Sequence, residues 1–162
     1  MLVADAPVSG ASVSSGESEG FESVITTFVF NVGMAGLTSG GSVTWGTGSG
    51  GDTIKARLVE AAVTPGVNAT SMTGLTAVGT DATLSGKSKS TDTSTNQVAY
   101  DATDPVYTSL TGNDVGSLVI YKFDTDDAGS TPLACLALPV FTPDGTTQTV
   151  VFASTGAFYT QQ

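Results

Sequence analysis

GSLVIYKFDTDDAGSTPLACLALPVF, residues 116–141, decides the fold. Two apolar runs, SLVIYK and PLACLALPVF, flank a centre of aspartates and glycine. Each run has the length and apolar continuity of a core strand, and the centre has the residues of a tight turn. The stretch therefore predicts an antiparallel hairpin. Its tip, FDTDDAGST, also tests as a calcium loop. Asp124, Asp126 and Gly129 fit positions 1, 3 and 6 of an EF-hand loop, but Ala128 stands at position 5 and Cys135 where the bidentate glutamate belongs. That leaves at most a looser oxygen site from Asp124, Asp126 and Asp127, and the tip is read as a turn whose charges keep the strand edges from sticking.

Working outward, further strands are predicted at 148–153 and, briefly, in GAFYT, with TPDGTT as the turn before them. Upstream, DTIKARLVEAA (52–62) alternates Ile54, Ala56 and Leu58 with Lys55, Arg57 and Val59. A period of two puts Lys55 and Arg57 on the solvent face of a half-buried strand. SVITTFVFN (23–31) is apolar on both faces, so it is expected to be covered on both. Gly33, Gly36, Gly40 and Gly41 are expected to break regular structure. SVTW, TLSGKSKST and residues 97–100 are thinner strand candidates, Lys87 and Lys89 sharing one face of the second, and one helical turn is expected near 107–110. No long amphipathic helix pattern occurs. The fold class is all-β: an antiparallel β-sandwich or barrel-like domain over 23–162, preceded by an extended N-terminal arm over 1–22 that is rich in Ser, Gly and acid.

Composition narrows the chemistry. The 162 residues include 26 Thr, 18 Ser and 20 Gly, while only 12% are charged. Fifteen acids against five bases give a net charge of −10, with no basic stripe for nucleic acid and no attraction to an anionic membrane. No histidine is present, which removes Ser-His-Asp, Cys-His and His-zinc constellations. Cys135, the one cysteine, sits in an apolar run and is read as a buried thiol. GTGSGG (Gly46, Gly48, Gly51) has the glycine spacing of a dinucleotide loop but precedes a strand-like pattern, and SGKSKS has Asp81 where a phosphate loop needs glycine. No catalytic, cofactor or metal residues are assigned. The start of the chain has neither a basic n-region nor a long apolar run, so synthesis in a cytoplasm is expected, and the Asn68-Ala-Thr70 sequon is read as chance.

Four stretches, DTIKARLVEAAVTP, YDATDPVYTSL, GSLVIYKFDTDDAGSTPLACLALP and TPDGTTQTVVFASTGAFY, together resemble small virion proteins of tailed bacteriophages over roughly residues 51–159. The pattern carries no catalytic signature. In role the chain is similar to capsid decoration, or cement, proteins. That resemblance implies binding to the exterior of an HK97-type shell, a homotrimer, the major capsid protein as partner, no cofactor, and a virion location after assembly in the host cytoplasm. A tail, neck or fibre module and a carbohydrate-binding β-sandwich are the alternatives. The arm, residues 1–20, is expected to contact another subunit rather than its own core, with Leu2, Val3, Pro7 and Val8 as apolar anchors.

Overall fold

The structure, a computed structural model, describes residues 12–15, 27–38, 40–46 and 51–161. Among the described residues, eleven strands and one short helix follow in the order β1 (Ser12–Ser15), β2 (Thr27–Val29), α1 (Asn31–Leu37), β3 (Ile54–Glu60), β4 (Ala82–Thr83), β5 (Ser88–Asp92), β6 (Gln97–Asp101), β7 (Val106–Tyr107), β8 (Val115–Lys122), β9 (Thr131–Phe141), β10 (Gln148–Val151) and β11 (Phe158–Gln161). Every strand pairing is antiparallel. The protein is all-β. A five-stranded sheet, β2-β9-β8-β3-β4, packs against two three-stranded sheets, β1-β10-β7 and β11-β6-β5.

The hairpin of 116–141 is the centre of the large sheet, with Leu118 opposite Leu136 and Ile120 opposite Ala134. The turn TPDGTT is not a hairpin. It carries the chain from β9 in the large sheet to β10 in a small one. Ile54, Ala56 and Leu58 of β3 meet Leu118, Ile120 and Leu136 in the main core. Trp45, Tyr100 and Phe158 close that core from the side of the small sheets.

The large sheet also has a second, smaller core on its opposite face. Val59, Val119, Tyr121 and Cys135 lie there under Phe30, Met72 and Leu75. Its cover is mostly irregular chain, residues 61–81, rather than a third sheet. Burial on both faces explains why β8 and β9 are nearly continuous in apolar residues where a one-sided sheet would alternate. In the described part of SVITTFVFN (23–31) both faces are covered as expected: Phe28 and Phe30 pack into the second core and Val29 against the first, while residues 23–26 lie outside the described residues.

Several expectations are corrected. Arg57 does not face solvent; it is 7% exposed, within the second core's cover. Gly33 and Gly36 do not break structure but lie inside α1, where they are buried. The reason is contact: a Cβ on Gly33 would stand 2.6 Å from the Leu133 Cα, so only glycine lets the helix lie on β9. We expect Gly33→Ala to lower thermal stability by about 2 kcal/mol, the cost of a clash against backbone, despite alanine's better helix propensity. A melt at or above wild type would contradict that packing. SVTW forms no strand; Val43 N–H donates to Gly36 and Thr44 N–H to Asp52. The expected helical turn at 107–110 is instead β7 followed by a turn with Ser109 at φ 51°. Finally, Ser12–Ser15 of the expected arm form β1 on β10 of their own chain. Leu2, Val3, Pro7 and Val8 lie outside the described residues.

Candidate functional site

The aspartate turn between β8 and β9 is built from local hydrogen bonds. Asp126 accepts from Gly129 N–H, and its carbonyl accepts from Ser130 N–H and Oγ. Asp124 accepts from Thr125 N–H, and Ser130 Oγ in turn accepts from Asp124 N–H. These are the turn roles for which short acids and serine are suited.

Asp127 does something else. Both of its oxygens accept from Arg57, at 2.8 Å each. Arg57 also donates from Nε and Nη2 to Asp81, at 3.0 and 2.7 Å, and from Nη1 to the Leu75 carbonyl. Asp81 accepts a further bond from the Tyr121 hydroxyl at 2.6 Å. One guanidinium thus joins strand β3, the 61–81 cover and the hairpin tip, with its planar fork matched to two carboxylates. Met72 N–H donates to the Asp127 carbonyl and fixes the same junction through backbone.

The electrostatics follow this geometry. The hydrogen bond to Asp127 raises the Arg57 pKa, burial opposes it, and Asp81 adds to the rise. Arg57 holds the Asp127 carboxyl below its ordinary value, chiefly through the hydrogen bond. Burial pushes the Tyr121 hydroxyl up, helped by its bond to Asp81. The Asp127 side chain is 50% exposed and that of Asp81 15%, so the Asp81 side of the fork is the drier one. With Asp127 engaged by Arg57 and Asp126 by its own turn, the three aspartates of the tip serve structure. Among the described residues, no group of three or more His, Cys, Asp or Glu side chains is placed to hold a metal ion.

On a different surface, a groove of about 780 Å³ opens between the end of α1 with residues 40–45 and the face of the β11-β6-β5 sheet. Its floor is Val43, Trp45, Val98 and Tyr100, all buried, and Lys89 and Thr91 of β5 stand exposed at its rim. Trp45 meets Tyr100 and Phe158 edge-on at 5.5 Å, while those two rings stack at 4.9 Å. The indole N–H donates to the carbonyls of Ser88 and Asp101, which face each other across β5 and β6. The indole therefore ties the groove floor to the base of the β5–β6 hairpin. Strand β5 is exposed at all five positions and, among the described residues, is the outer strand of its sheet.

Cys135 lies in the second core, and burial pushes its thiol up to about 12. Native protein should therefore resist a thiol reagent at pH 8 for hours and react once unfolded. Fast labelling of the folded form would show that the second core opens.

The sequence pattern did not reveal the Arg57 junction. A signal was present: Val59, Val119 and Tyr121 share the face of Arg57, and three apolar residues there mark a covered surface. Among the described residues no helix is long and apolar enough to cross a membrane. No protein-family model matches the chain, and no curated protein or solved structure is significantly similar to it.

Proposed function

We propose that this protein is a capsid decoration protein of a tailed bacteriophage, a homotrimer bound to the major capsid protein on the outer face of the shell. The resemblance in DTIKARLVEAAVTP and GSLVIYKFDTDDAGSTPLACLALP motivates the reading. Those stretches are β3 and the β8–β9 hairpin, the two halves joined by the Arg57 fork. The observation that carries it is the contrast between this stapled scaffold and the exposed strand β5, held to the domain through β6. The β5–β6 hairpin is tied at its base to Trp45 and presents the β5 edge to a neighbour, by strand addition or by side-chain contact. Such a protein works by interface area repeated around an axis, and three weak contacts on one trimer bind far more tightly than one. A net charge of −10 keeps it off the packaged nucleic acid and in solution until it meets the shell.

Purified protein mixed with undecorated capsids should co-sediment at a fixed stoichiometry and appear as ordered density on the head. Protein left in the supernatant across a range of salt would overturn the proposal, and density on the tail would assign it to a tail module.

A further inference from the structure

Strand β1 is attached to the domain in an unusual way. Its ladder runs from Ser12 opposite Val151 to Ser15 opposite Gln148, along the whole of β10. On the other side of β10, β7 pairs with Gln148 and Thr149. Without β1, the side of β10 that it covers would be an edge along its full length, and a bare row of N–H and C=O groups invites pairing. The strand that fills it is SVSS, three serines and a valine. The chain between β1 and β2, residues 16–26, could span up to roughly 36 Å if extended, at about 3.3 Å per residue.

From these observations we propose that β1 is an exchangeable strand: the β10 edge of one protomer takes Ser12–Ser15 of a second copy. The register is the same within a chain and between chains, so exchange breaks and remakes one set of backbone bonds. Strand exchange of this kind is a low-cost route to closed oligomers. The inference rests on the self-association in the proposed function and names its contact. It is tested on the isolated protein, so its failure would leave capsid binding open.

Cross-strand Cα atoms in an antiparallel ladder lie about 4.5–5.5 Å apart, inside the range a disulfide bridges. Ser14 faces Thr149. Chains carrying Ser14→Cys and chains carrying Thr149→Cys, with tags of different mass, are mixed and oxidised gently. The buried Cys135 thiol stays out of the reaction. The expected product is a covalent heterodimer exceeding both homodimers about tenfold, since the ladder raises the effective concentration of that pair alone. A control chain with both substitutions reports pairing within one molecule. Heterodimer at the level of the homodimers, with the control closing within its own chain, would overturn exchange. A control that fails to close and a mixture that fails to link would overturn the ladder itself.

Discussion

Replacing Arg57 with alanine should lower the thermal midpoint by about 10 °C. The guanidinium makes five bonds to two carboxylates besides one to a carbonyl, and its loss leaves Asp81, 15% exposed, with the Tyr121 hydroxyl but no guanidinium partner. Removing one member of a largely buried ion pair costs about 3 kcal/mol, and at this chain length each kcal/mol moves the midpoint by about 2–4 °C. Asp127→Asn should cost less, about 1 kcal/mol, because that carboxylate is half exposed and screened. Its pH dependence has a definite sign. The folded-state pKa of Asp127 is depressed, so its contribution is present above the ordinary aspartate value near 4 and is lost as pH falls through the folded value. Wild type and Asp127→Asn should thus differ at pH 7 and converge in acid. Equal melting of Arg57→Ala and wild type would mean that the 61–81 cover holds without its staple.

The second large effect is expected at Trp45. Trp45→Ala removes a 5% exposed indole that touches Tyr100 and Phe158 edge-on, a loss of about 4 kcal/mol by analogy with other aromatic truncations. Trp45→Phe keeps much of the ring but leaves the Ser88 and Asp101 carbonyls without the indole donor, at about 1–2 kcal/mol. Hydrogen exchange across β5 and β6 should quicken in the phenylalanine variant while β8 and β9 stay protected. Uniform loosening of both sheets would show that Trp45 supports the whole core rather than the base of one hairpin.

These two residues also mark how far the sequence could be read. The β8–β9 hairpin was legible because two apolar runs and a turn lie side by side in the chain, so pattern and pairing coincide. The strand at β3 was legible too, but its second face was not. Its cover is irregular chain whose apolar residues, Met72 and Leu75, are too sparse to show a period. Arg57 and Asp127 are far apart in sequence, and no local rule pairs them. Helix α1 escaped because two glycines lower helix propensity, whereas close approach to Leu133 demands one of them. Strand β1 escaped because a serine-rich ladder is specified by the edge it meets, not by its own residues. The groove over Trp45 could not be anticipated, since its floor comes from residues 43–45, β6 and β11 brought together only by the fold.

The pairing of β1 with β10 also has a consequence in time. A ribosome adds about 5–20 residues per second, so Ser15 emerges on the order of ten seconds before Gln148, its partner, has been made. The β8–β9 hairpin is complete before β10 exists, and joining β1 to β10 closes a loop nearly as long as the described chain, the slowest kind of contact to form. Each newly made molecule therefore passes through an interval in which its central sheet can fold while its N-terminal strand waits. On a polysome, where sister chains emerge close together, the first β10 edge that strand meets can belong to a neighbour.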